Sequence, residues 1–273
     1  MSIATAPFVM APETELLLQQ ICDSVFPIGA YSHSYGLETY IQLDRVRDVG
    51  TAWEYLASTL RYPLTYTELL GMRLSYEHAA AGLGEDGLSQ GAVAELAELE
   101  AHLSALKVPA ETRTASEKLA ARFIRTTEGL GVLGEREAAA YRAYAAARPS
   151  HAVNAAYGVF GALAGMDLEH LLHRYLYAQV SALVVTCVKS VPLSQTAGQE
   201  LIIRSVPLQV AAVEHALTAG EELLGLSMPG FDVRCIEHES LYSRLLHELT
   251  PSSRALVQGH LLTARNTRSP TTP

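Results

Sequence analysis

The stretch from Leu168 to Val188 reads as one long helix that is apolar nearly all round, and such a helix must be enclosed by other elements or by lipid. Its longest apolar run, Tyr175 to Val191, is interrupted by Gln179, Ser181, Thr186 and Lys189 and falls short of the roughly 20 apolar residues that a bilayer crossing needs. A central buried helix with other helices around it is the expectation. The competing reading takes Ser181 to Val191 and Leu201 to Val206 as buried strands, because short apolar runs are not resolved by periodicity. Against it, no hairpin dipeptide joins them and nothing nearby alternates with period two.

Helical spacing recurs along the rest of the chain. Leu17, Ile21 and Val25, with Leu18 and Cys22 beside them, put an apolar stripe on a first helix that Pro27 and Gly29 end. Leu37 to Leu43 restarts the period, and Trp53, Leu56 and Leu60 carry it on until Pro63 interrupts; a further helix follows from Thr65 to His78. The glycine-rich run from Ala81 to Gln90 reads as a mobile loop. Beyond it, Val93 to Leu106, Glu111 to Thr127, Tyr141 to Ala147 and Ala152 to Leu163 all carry apolar residues at three-and-four spacing. Pro207 is expected to begin another helix, with Val210, Val213 and Leu217 on its buried face and Gly225 to Gly230 closing it. The fold class is therefore all-α, a single helical domain of about ten helices over residues 13–262, between a lead-in over 1–12 and a disordered tail over 263–273.

Charge narrows the partners. The formal net charge of -9 repels phosphates and no run of Lys or Arg offsets it locally, so no nucleic acid is expected. Cys22, Cys187 and Cys235 are odd in number and far apart, which suits reduced thiols better than a disulfide framework. The first twelve residues lack the basic and apolar regions of a secretory signal.

Several motifs lose their chemistry on inspection. Gly129, Gly131 and Gly134 match a dinucleotide fingerprint in letters, yet they follow a helix and have no acidic residue about 20 positions further on, so they read as a helix-helix loop. No phosphate-binding Gly-x-x-x-x-Gly-Lys loop occurs. His238-Glu239 begins like a zinc-protease helix, but Tyr242 occupies the place of the second histidine. His170 and His173 lie three apart without a third ligand nearby, and Ser32, His33 and Glu38 are too close in sequence to converge as a triad.

Three ordered blocks nevertheless form a pattern. The first holds Pro27, Gly29, Tyr31, Ser32, Ser34, Gly36, Leu37 and Glu38; the second runs from Ala178 through Val191-Pro192-Leu193-Ser194-Gln195-Thr196-Ala197-Gly198-Gln199; the third holds Asp232, His238, Glu239, Tyr242, Ser243, Arg244 and Leu245. Together they closely resemble the urease accessory protein UreF family, and the resemblance extends from about Leu16 to Leu246. It departs at Cys235, Ile236 and Glu237, which stand for Ser-Met-Arg, and at Leu246, His247 and Glu248, which stand for Phe-Arg-Ser.

The resemblance implies an all-helical, dimer-forming accessory protein and no enzyme. It would bind UreD (also called UreH), recruit the GTPase UreG to apo-urease, and so assist nickel insertion in the cytoplasm, with no cofactor and no tight nickel site of its own. Its partner-binding residues would be Tyr31, Ser32, His33, Ser34, Tyr35, Glu38, Gln195, His238, Glu239, Tyr242 and Arg244. With the family's terminal arginine replaced by His247, Arg244 is the best remaining cation and Arg254 an alternative. The competing class is an all-α, metal-assisted small-molecule enzyme built around Glu38, His238, Glu239, Tyr242 and Arg244.

Overall fold

The computed structural model describes residues 10–29 and 36–239. It is all-α apart from one minute hairpin. In chain order it comprises α1 (Pro12–Ile21), α2 (Leu37–Gln42), α3 (Val49–Thr59), a π-helical segment (Leu60–Leu69), α4 (Leu70–Gly82), β1 (Leu83–Gly84) and β2 (Gly87–Leu88). Then follow α5 (Gln90–Leu106), α6 (Ala110–Leu130), α7 (Glu135–Ala146), α8 (Val153–Leu163), α9 (Leu168–Ser190), α10 (Gln195–Thr218), a 3-10 turn (Glu221–Leu223) and α11 (Pro229–His238). Counting α3, the π segment and α4 as one continuous rod gives ten helices among the described residues.

The most enclosed helix is α8, not α9. Every α8 residue from Val153 to Gly161 is buried; α9 buries Leu171, Leu176, Val180 and Val184 on one side but leaves Tyr177 51% exposed. Side-chain volume explains the exchange. Ala155, Ala156 and Gly158 let α4 approach so closely that a Cβ on Gly158 would stand 2.3 Å from the Met72 carbonyl oxygen. By length and composition α9 could cross a membrane, but half of its apolar window is buried inside the fold, where it touches α1, α2, α3, α4, α8, α10 and the π segment. The strand reading of Ser181–Val191 and Leu201–Val206 is excluded, since both lie within helices.

Both internal prolines were misjudged by periodicity. Pro63 does not interrupt its helix; the rod continues through it in π geometry, whose wider turn accommodates a residue without an N–H. Polar side chains satisfy carbonyls of this segment: the Thr65 hydroxyl donates to Leu60 O at 2.5 Å, and buried Asn154 Nδ2 donates to Thr67 O and Glu68 O at 3.0 and 3.2 Å. Pro207 lies inside α10 and does not begin it. The carbonyl it leaves without a donor is that of Ile203, which is 70% exposed, so water can replace the lost bond. With the helix starting earlier, Val213 is buried but Val210 faces outward. The helix also ends earlier than Gly225, at Thr218.

The run expected to be a mobile loop is a tight hairpin, Leu83 pairing with Leu88 and Gly84 with Gly87. Leu83 and Leu88 pack against the core and Gly87 abuts Ala140 of α7, so apolar anchoring overrides the entropy of the glycines. Gly131, in the left-handed conformation at φ 63, ends α6 and opens the loop to α7 as expected. At the N-terminal side, Met10 is buried and α1 begins at Pro12; residues 1–9 and the tail over 263–273 lie outside the described residues.

Candidate functional site

Local chemistry prepares α11 to be held from one side. Pro229 at its first position needs no partner for a missing donor, and Phe231, Cys235 and His238, at i, i+4 and i+7, form its buried face. That face meets α2 and the start of α6. The α2 side is built for close contact: Gly36 takes φ 76, Leu37, Glu38 and Thr39 are buried, and the Thr39 hydroxyl donates to Arg234 O at 2.9 Å.

At the end of α11 the imidazole of His238 lies between two carboxylates. Its Nδ1 is 2.8 Å from Glu111 Oε2 and its Nε2 is 3.5 Å from Glu38 Oε2. Burial by itself pulls the imidazole pKa down, but the two carboxylates override it and push it up to about 9. The ring is therefore an imidazolium at neutral pH, donating from both nitrogens. Glu239, the next residue, accepts from the Glu111 amide at 3.1 Å. It caps α6, whose own N-cap residue, Pro109, offers no side-chain acceptor.

This arrangement clamps α11 against α2 and α6. A doubly donating His238 has no lone pair for a proton or a metal. Burial pushes the Cys22, Cys187 and Cys235 thiols up to about 12, which removes nucleophilic character near neutral pH. Among the described residues no group of three or more His, Cys, Asp or Glu side chains is placed to hold a metal ion. The Nδ1 of His170 bonds the α9 N-cap Asp167 at 2.8 Å, and His173 is 3.9 Å from Glu169.

A family model described as UreF matches residues 46–206, more than half of the chain. The chain belongs to the UreF family. UreF membership makes it a urease accessory protein, in agreement with the resemblance and the all-helical fold seen in the sequence. The match covers the middle block of that resemblance; the blocks ending at Glu38 and beginning at Asp232 lie to either side of it, and these are the two that His238 joins.

Of the residues expected to bind partners, the structure brings Glu38, His238 and Glu239 together. Glu38 is fully buried, so its carboxylate faces His238 inside the fold. Gln195 is exposed at the first position of α10, on a helix that packs against α9, the π segment and α3. Tyr31, Ser32, His33, Ser34, Tyr35, Tyr242 and Arg244 lie outside the described residues, as do His247 and Arg254. Sequence reading missed Glu111. Its only local signal was an acid in the first turn of a helix that follows a proline, and nothing there pointed to His238.

Proposed function

We propose that this UreF-family chain is a non-catalytic docking subunit, which binds UreD/UreH and, as a homodimer in the cytoplasm, recruits the GTPase UreG to apo-urease for nickel insertion. Nickel is cargo of the assembly in this reading, held only weakly by the chain itself. The observation that supports it is the His238 clamp, in which Glu38 and Glu111 hold the end of α11 beside α2. The clamp joins Glu38 and His238, one from each of the two terminal blocks of the family resemblance. A docking surface requires such fixed anchors, because preorganised contacts cost less ordering on association.

Co-purification from cells that express the whole urease cluster tests this. The intact chain should co-elute with UreD and UreG, and His238→Ala should lose them and lower urease activation while keeping its helical circular dichroism. Undiminished complex and activation in His238→Ala would remove the clamp from the docking surface. Turnover of a small substrate by the purified chain alone would instead favour an enzyme.

A further inference from the structure

A second surface combines cations with aromatic rings. The connection between α2 and α3, the outer side of α3 and the first turns of α11 border an open groove of about 800 Å3. Arg45, Arg47 and Arg234 line it together with Tyr40, Tyr55 and Met228, and the two tyrosine rings meet edge to face at 5.1 Å.

Backbone geometry puts the arginines there. Asp44 adopts φ 56 after α2, which turns the chain so that the amides of Arg45 and Val46 both bond back to Tyr40 O, at 2.8 and 3.2 Å. Val46 is then buried and pins the connection, while Arg45 and Arg47 stay exposed on either side of it. Their existing pairings are weak. Arg47 is 3.1 Å from Asp44 and 3.8 Å from Asp48 with all three side chains more than half exposed, and exposed pairs of this kind contribute little. Arg234 pairs with Glu237 on its own helix. The Arg45 guanidinium makes no ion pair or hydrogen bond among the described residues. On a chain of net charge -9, such exchangeable cations are an unusual local feature.

We propose that this groove binds an extended acidic segment of a partner protein. A compact anion such as phosphate or a nucleotide would meet Asp44 and Glu54, which also line the groove. An extended chain can space its carboxylates opposite Arg45, Arg47 and Arg234, between the acidic side chains, and lay its apolar side chains against Tyr40 and Met228. Guanidinium forks suit carboxylates because they donate two parallel hydrogen bonds, and the half-buried Tyr40 adds contact area with little loss of side-chain freedom. The proposal rests on the groove's own lining and does not depend on the docking role proposed for the His238 clamp.

Fluorescence anisotropy of the full chain with a fluorescein-labelled peptide, Glu-Glu-Tyr-Glu-Glu-Leu-Glu-Glu, tests it. The peptide should bind saturably, more weakly as salt rises, and its counterpart with lysines for glutamates should not bind. The double variant Arg45→Glu/Arg47→Glu should lose about tenfold or more in affinity, whereas Arg142→Glu on α7, outside the groove, should match the unmodified chain. Arg45→Gln, at an exposed side chain without an ion-pair partner among the described residues, should weaken binding with the fold intact and serves if the double variant misfolds. The proposal is overturned if the wild-type chain shows no saturable binding, if Arg45→Gln or a folded double variant binds as well as the wild type, or if inorganic phosphate displaces the labelled peptide as effectively as unlabelled peptide does.

Discussion

Gly36 and Cys235 approach so closely that a Cβ on the glycine would stand 2.8 Å from the cysteine sulfur and 3.2 Å from its amide nitrogen. This contact sets how near α2 and α11 come to each other. It thereby fixes the reach across which the Glu38 carboxylate meets His238.

Gly36→Ala should accordingly destabilise the protein by about 3 kcal/mol, combining left-handed strain at φ 76 with overpacking. Adding Cys235→Ala should restore only part of that, since the backbone nitrogen remains in the way. Urea denaturation measures both, and a Gly36→Ala variant as stable as the parent would show that α11 can shift freely.

The His238 clamp should make stability depend on pH. Because the folded pKa, about 9, lies above the ordinary value near 6.5, the stabilisation is complete below about pH 6.5 and is lost as pH rises through about 9. The total is on the order of 2–3 kcal/mol. Hydrogen exchange across residues 229–239 should therefore speed up over this window by more than the intrinsic pH effect, and His238→Gln should abolish that excess. An unchanged excess in the variant would place the titration elsewhere.

Glu100 anchors a second buried network. It accepts from the Tyr144 hydroxyl at 2.7 Å and the Ala152 amide at 3.2 Å, and His151 Nδ1 lies 2.7 Å away. Burial lowers the His151 pKa, yet Glu100 overrides this and raises it. Glu100→Gln should cost about 2–4 kcal/mol and move the His151 titration, followed by NMR, to lower pH. An unmoved titration would mean that Arg148 and the Ala145 carbonyl set the ring's state.

Asn154 offers a test by sign. Its Nδ2 donates to two carbonyls of the π segment while its Oδ1 has no partner among the described residues. Asn154→Ala should cost about 2 kcal/mol, and Asn154→Asp should cost more, because a carboxylate facing two carbonyls has nothing to donate. Thermal unfolding that ranks the aspartate variant above the alanine variant would show that the amide does not hold the segment.

What the sequence made legible is what local periodicity controls. The three-and-four spacing of Leu96, Leu99 and Leu103 marked α5, and Gly131 marked the end of α6. The two prolines misled because the cost of a missing N–H depends on what surrounds it: π geometry at Pro63, water at Pro207. Composition could not distinguish α8 from α9 as the enclosed helix, since Gly158 reads as a weak helix former until α4 is seen against it. At the candidate site, Glu38, His238 and Glu239 were picked out by resemblance, but their use of Glu111 depends on a pairing across most of the chain. The burial of Glu38 was invisible for the same reason.

The clamp also gives the last described helix a role during synthesis. Until His238 has left the ribosome, the buried Glu38 carboxylate lacks this imidazolium, and its enclosure is less favourable. A product that stops short of α11 therefore leaves the α2 end less well sealed, and one that includes α11 shuts it. Closure at this end of the molecule is thus tied to one ring.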